Sequence, residues 1–587
     1  MAILLEQTFE RTLDAWVREF SDPVYRGASV HAWLFEDAAA RRSAELRLSQ
    51  AGVQARFYSA YKPLVHFFLD EVDVNGLAGV TVRYPVHASA PPRRFTLEAY
   101  PLVGMLDTIE VSFEASGDGL DYEVELRYAT ARTEQKKVFA PNHVVTDHAG
   151  VSSLTPTGWV RVEGADGKLL LDEARPTEYS RMYDAILRTA AGHPWGQDEP
   201  YFDRLEVLVE LPGIERDTGY EDEVISTFEA MHEEIYFGLL EVFQRHSGRP
   251  LGSRGLQPGQ IVPDVRHSER EVKLRIATEA FEPVPEVVAR SLGTPLSAVN
   301  GPLSPERVAH EMQVMGGEPF AVRTRQGRAV RGCYVRGAEP AVVISGGQHA
   351  NEASGVVGAL AAAHVLKARP DAHFVLIGLE NPDGYALFGR LCQTNPRHMH
   401  HAARYTALGD DLAYREKAPY YELEARIKAY EMSGAQLHVS LHGYPSHEWT
   451  RPLSGYLPRH FELWTIPKGF FLVMRHHPGW GGRARALVEN ITARLAREQP
   501  ELIRFNARQL AVFEAHAQER GFDMLNGIPV QISESAKERV PLMLISEFPD
   551  ETVYGDRFRL AQEVQTATAL AAVDGYLNCV TRGGAGK

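Results

Sequence analysis

Cysteine is scarce in this chain. Three in 587 residues, Cys333, Cys392 and Cys579, stand at unrelated spacings, which excludes a disulfide framework and a thiolate metal site and fits a reducing compartment. Long hydrophobic runs are missing as well. No stretch reaches the roughly 18 uninterrupted apolar residues a bilayer span needs, so no membrane partner is expected. The N-terminus, Met1-Ala-Ile-Leu-Leu-Glu-Gln, meets an acid after five residues. It lacks the basic start, long apolar middle and small-residue cleavage site of a signal peptide, and a cytoplasmic location is expected. Basic residues are outnumbered, 62 Lys and Arg against 77 Asp and Glu for a net charge of −15. That balance argues against a nucleic-acid partner, which needs clustered cations to neutralise phosphates. There is no internal repeat and no low-complexity tract.

What remains is the composition of a globular protein, 44% hydrophobic and 24% charged, long enough for roughly two to four domains. Residues 1–63 carry mixed periodicity and no motif, and are expected to form a mixed or helical lead-in. Residues 64–175 are expected to be β-rich. There Ile109, Val111 and Phe113 alternate with polar residues, as do Tyr122, Val124, Leu126 and Tyr128, across the turn-forming Ser116-Gly117-Asp118-Gly119, the pattern of a β-hairpin. Residues 176–300 shift towards a helical period, clearest where Phe228, Met231, Ile235, Leu239 and Val242 line one face before a C-cap at Gly248. Gly/Pro-rich stretches at 248–263 and 283–305 read as linkers or loops.

The last unit, 301–582, opens at Ser304-Pro305-Glu306, an N-cap followed by Pro at the first helical position. Apolar strands at 341–345, 373–379, 437–441 and 542–546 alternate with helices, one of them at 352–368. The expected fold class is α/β: a mixed, partly parallel sheet buried under helices on both faces.

A catalytic zinc takes three protein ligands, usually His with a carboxylate, and keeps a fourth position open. In Ser345-Gly346-Gly347-Gln348-His349-Ala350-Asn351-Glu352, a His and a Glu three apart follow a strand and open a helix, whose first turn would point both to one side. The glycines allow a sharp turn at the sheet's C-terminal edge, where open α/β sheets place their sites. His516 and Glu519 repeat the spacing without strand or glycines and read as ordinary helix surface. His232-Glu233-Glu234-Ile235-Tyr236 begins like H-E-x-x-H, but Tyr236 stands where the second imidazole belongs. The third ligand is expected from another strand end, at His442 in Leu437-His438-Val439-Ser440-Leu441-His442-Gly443. His438 shares its face but lies further from the edge. A hydrolase of this kind also needs a general base that is not a ligand. Glu547, ending the apolar run 542–546, is the candidate, since an acid there is costly unless it lines a cavity or is paired. Clusters at His398, His400 and His401 and at His476 and His477 read as polar loops near a substrate groove rather than a second metal site.

Gly-Gly-Gln-His349-Ala-Asn-Glu352, Asn381-Pro382-Asp383-Gly384, Gly409-Asp-Asp411-Leu412, Ser440-Leu-His442-Gly443 and Ser546-Glu547, in that order, resemble the zinc metallocarboxypeptidase family, especially its cytosolic and bacterial branch, over about 300–580. The resemblance implies one zinc per chain held by His349, Glu352 and His442, with Glu547 as general base and proton shuttle. It implies an arginine that polarises the scissile carbonyl, matched to Arg404 by its distance from the Gly-x-Asp-Leu motif, with Arg390 as second choice. Asp411 resembles the acid that orients a ligand imidazole. Where the family carries the Asn-Arg pair that clasps a terminal carboxylate, this chain has Ala413 and Tyr414, and Arg415 one residue later. The family's mobile tyrosine has no counterpart, because no Tyr occurs between Tyr456 and Glu547.

The expected function is zinc-dependent hydrolysis of an amide bond in a peptide or peptide-like substrate, in the manner of a metallocarboxypeptidase. Residues 1–300 would cover the cleft or hold subunits of a homo-oligomer together. Two other readings stand beside it: a deacylase or amidase resembling the aspartoacylase and succinylglutamate desuccinylase branch, which the altered clasp favours, and an inactive binding module.

Overall fold

The computed structural model describes the chain except Leu292, His460, Glu462, Leu463 and residues 584–587, with backbone alone for 580–583. Among the described residues nine strands form one mixed sheet. Its centre is four parallel strands in the spatial order Phe374–Ile377, Val342–Gly346, Leu437–Pro445 and Leu542–Glu551. Antiparallel strands flank them: Glu318–Arg323 and Ala329–Val335 on one side, Phe471–His476 on the other, which continues to Ile528–Glu534 and Asp523–Leu525. All nine residues of Leu437–Pro445 are buried, as a parallel strand covered on both faces must be.

Local signals explain the elements around it. Ser304 caps the helix Pro305–Met315 by accepting from Arg307 N, with Pro at the first turn as expected. The helix Ala353–Lys367 packs on the central strands and on the C-terminal helix Asp556–Gly583. The helix Leu423–Ser433 covers the other face, where Ala425 and Ala429 lie in a core with Val343, Val375 and Ile377.

Residues 1–300 do not divide at 63 and 175. Ala2–Phe9 pairs with Val272–Glu279, which also pairs with Arg204–Leu211, and that strand runs parallel to Gln260–His267. Ser29–Leu34 lies between Gln54–Ser59 and Gly158–Glu163. Thus the stretch expected to be helical with linkers contributes three of the four strands in the sheet of Ala2–Phe9, one of them starting inside the Gly/Pro-rich segment 248–263. The expected hairpin is also corrected: Glu110–Ala115 and Asp121–Tyr128 are not neighbours, because Leu77–Tyr84 inserts between them, parallel to the first and antiparallel to the second. Alternation marks a strand's faces and leaves its partner unspecified.

The helix Thr227–His246 joins the two halves. Ser226 caps it through Glu229 N, and seventeen of its twenty residues are buried, four of them acids. Each acid finds a partner on the C-terminal half. Glu229 lies 2.7 Å from His447 Nε2, Glu233 lies 3.0 Å from His401 Nδ1, and Glu234 accepts from Leu453 N at 2.7 Å. Arg451, 2% exposed, donates to Glu234 at 3.3 Å and Glu241 at 2.7 Å and lies 5.5 Å from the Phe237 ring centre, so it reads three residues on one helix face. Removing one member of a buried charge network strands the rest without compensation. Arg451→Met should therefore lower the unfolding free energy by about 3–5 kcal/mol, seen as a drop in the guanidinium denaturation midpoint at unchanged slope.

Candidate functional site

The site lies where the central parallel strands end. Gly346 closes its strand, and Gly347 turns the chain at φ +69°, a conformation L side chains rarely adopt. Residues 349–352 form a turn ahead of the helix rather than its first turn, for the helix starts at Ala353. The turn still aims both side chains together: His349 Nδ1 lies 2.6 Å from Glu352 Oε1. From the neighbouring strand His442 brings its Nδ1 to 3.1 Å from that of His349 and 2.9 Å from Glu352 Oε2. A Cβ on the next residue, Gly443, would stand 1.8 Å from Asp550 Oδ1, so only glycine lets that carboxyl pass beneath the strand.

His349, Glu352 and His442 can each point a ligand atom to one spot, with all three atoms within 4.8 Å of one another. The residues fit a cation. Two imidazole nitrogens facing each other at 3.1 Å cannot both carry protons, and Glu352 Oε2 is buried without a hydrogen-bond partner. Two His with a Glu is a donor set suited to zinc. Burial alone would raise Glu352, but His349, Arg404 and His442 together hold it well below the usual carboxylate range.

Each ligand is fixed from behind. Asp411 Oδ2 lies 3.1 Å from His349 Nε2, and Asp411 Oδ1 accepts from Gln348 Nε2 at 2.8 Å. Gln348 is held in turn by Arg426, which is paired with Glu380. Ser440 Oγ lies 3.0 Å from His442 Nε2, and Gln565 donates to the His442 carbonyl at 2.6 Å. Arg404 donates to Glu352 Oε1 at 2.6 Å and approaches Glu551 to 3.7 Å. Asn381 caps its own helix through Gly384 N and donates to Tyr405 O at 3.1 Å, so the Asn-Pro-Asp-Gly motif pins the backbone beside Arg404.

Glu547 is register partner to His442 on one side and Phe471 on the other, and is half-buried. Burial and the nearby Glu352 carboxylate push it well above the usual carboxylate range, with Arg404 and Lys468 working against them. A cavity of about 140 Å³ is lined by Arg404, Tyr405 and Asp411 and, from the N-terminal half, by Phe237, Leu240 and Arg254. A larger one, about 860 Å³, is lined by Tyr183, Trp195 and His148, and neither cavity is lined by His349, Glu352, His442 or Glu547.

Arg390, Arg415 and Tyr414, the residues expected to contact substrate, have protein partners in the structure. Arg390 is 41% exposed and paired with Glu206 at 2.6 Å on the surface. Arg415 is buried and fully engaged by Asp410, Glu422, Thr406 and the Tyr420 carbonyl, which leaves it no donor for a substrate carboxylate. Tyr414 is 38% exposed and takes a hydrogen bond from Arg254, whose guanidinium lies 5.0 Å from its ring centre. His516 is no surface residue: it is 0% exposed and lies 2.8 Å from the Thr96 carbonyl, while Glu519 falls beyond the helix end. His438 is a satisfied core histidine, 2.7 Å from Ser345 Oγ and 2.8 Å from Tyr430 OH. His398, His400 and His401 are occupied by Glu215, the Asn395 carbonyl and Glu233.

Sequence reasoning missed Glu551, whose Oε2 accepts from Asn351 at 2.8 Å. Its position four residues after Glu547 on one strand was a usable signal. It also missed Lys468, which no motif marks.

No family profile and no curated protein matches the sequence. Solved structures that are similar include a metallo-carboxypeptidase from Burkholderia cenocepacia at 15% identity, covering 47% of this chain and 70% of that one with a TM-score of 0.29. Another is a metallo-carboxypeptidase from Pseudomonas aeruginosa at 14% identity, covering 53% and 73%, TM-score 0.29. A third is bovine thrombin-activatable fibrinolysis inhibitor at 11% identity, covering 49% and 99%, TM-score 0.30. No helix among the described residues is long and apolar enough to cross a membrane.

Because Asp411 orients His349 from its far nitrogen, Asp411→Asn should weaken metal binding by about 10- to 100-fold. Competition of the purified protein against a zinc chelator reads that change directly.

Proposed function

We propose that the chain is a zinc-dependent hydrolase that cleaves an amide bond in a peptide or peptide-like substrate. The observation that carries this reading is the convergence of two imidazole Nδ1 atoms and one carboxylate on a single point, with an arginine and an unpaired carboxyl at the same sheet edge. In this reading His349, Glu352 and His442 hold the ion, which when bound supplies a Lewis acid for the carbonyl and lowers the pKa of water. Glu547, which makes no hydrogen bond among the described residues, has its oxygens free to take a proton from the attacking water and pass it to the leaving amine. Arg404 is a fixed positive charge beside Glu352, suited to stabilising negative charge on the carbonyl oxygen, a contribution commonly worth about 3–4 kcal/mol of barrier. From the leading 300 residues Phe237, Leu240 and Arg254 line the cavity that Arg404 and Asp411 border.

One observation favours the deacylase reading beside the carboxypeptidase one. Neither Arg390 nor Arg415 is available to clasp a terminal carboxylate, and Arg254 is the lining cation with no carboxylate partner among the described residues. Cleavage of a free-carboxylate peptide and its C-terminal amide, measured side by side, decides between them: equal rates count against a carboxypeptidase. Substituting Glu547→Gln should leave one zinc per chain and reduce turnover by about 10²- to 10⁴-fold. Zinc analysis beside the assay checks both halves, and a fully active variant removes Glu547 from this role.

A further inference from the structure

Lys468 carries a buried ammonium, 4% exposed, whose Nζ makes no hydrogen bond among the described residues. Aromatic rings enclose it: Trp464 with its centre at 4.1 Å, Phe471 at 4.8 Å, Tyr444 at 5.2 Å and Phe513 at 5.8 Å. Ring faces attract a cation, but they do not replace the hydrogen bonds it loses on leaving water. Burial accordingly drives the ammonium down to about 7, and the one charge that resists this is the Glu547 carboxylate.

The position is built rather than incidental. The backbone of 468–470 is clamped twice. Lys468 N donates to Tyr444 OH at 3.1 Å, whose hydroxyl donates to Gly469 O at 2.6 Å, and Asn506 bridges both backbone groups of Phe470 at 2.8 and 2.9 Å. Gly469 sits at φ +79°, and a Cβ there would stand 2.5 Å from Asn506 Oδ1, so the clamp itself needs glycine. The cage shares a sheet face with the metal-ligand group. Phe471 is the register partner of Glu547, Glu547 is the partner of His442, and Tyr444 follows His442 by two residues. The charges that act on Glu547 are those of Glu352, Arg404, Lys468 and Asp550.

We propose that Lys468 is a positioning residue for Glu547, a caged cation on the same sheet face whose charge biases where that carboxyl lies. The proposal rests on the hydrolase reading for its effect on rate, but the electrostatic coupling of the two residues does not. Two measurements on the full-length zinc-loaded protein test them separately. In the first, Lys468→Met, which keeps the volume and removes the charge, should lower kcat by about 10- to 100-fold with KM nearly unchanged. Lys468→Arg should recover part of the loss, because it restores charge and not shape. An unchanged kcat in Lys468→Met, or an Arg variant as slow as the Met variant, overturns the proposal. In the second, denaturation midpoints are measured for Lys468→Met, Glu547→Gln and the double variant. Lys468→Met should lower the midpoint when Glu547 is present and not in the Glu547→Gln background. Equal shifts in both backgrounds overturn the pairing. Zinc-replete wild type without turnover on any peptide or acyl-amino substrate sinks the hydrolase reading instead, and the midpoint cycle still decides the pair.

Discussion

A carboxylate that water cannot reach governs the candidate site. Glu352 is 1% exposed, and an ionised group in that position is costly unless opposite charge surrounds it. His349, His442 and Arg404 converge on it from three separate segments, each held from behind by its own partners. Four acids, Glu352, Glu547, Asp550 and Glu551, crowd the same sheet edge against Arg404 and Lys468. A divalent cation among the first ligands would reverse that excess, because it becomes the largest local charge.

The leading half of the chain follows from a similar constraint. The helix Thr227–His246 buries four acids, and each lies against a partner in residues 398–459 that neighbour the site. Buried charges are expensive to separate from their partners, so the two halves are bound into one body, and Arg254 and Phe237 become walls of the cavity. The acidic residues that give the chain its negative charge are in this helix an internal fastener.

Much of the site was legible because its residues carry local signals. Ser345 to Glu352 announces a strand, a tight turn and two ligand types in eight residues, and His442 ends an apolar run beside glycine. Asp411 and Arg404 entered through spacing that resembles a known family, and the structure places them against His349 and Glu352. The acid partners of Arg390 and Arg415 were not legible, because a cation's sequence position does not reveal whether an acid already holds it. Arg415 differs from a free clasp only through Asp410 and Glu422, and Glu422 lies seven residues on.

By itself the amino-acid order determined the element types of the C-terminal half, the glycine turn that carries His349 and Glu352, and the acid that follows the apolar run 542–546, because strand period, capping and glycine turns act over a few residues. Tertiary structure alone decided that Ala2–Phe9 pairs with a strand some 270 residues away and that Leu77–Tyr84 inserts into an apparent hairpin. It also decided that Lys468 lies caged beside Glu547. Those outcomes depend on which surfaces meet after collapse, and hydrogen bonds between distant strands and the burial of an unpaired charge leave no mark on neighbouring residues.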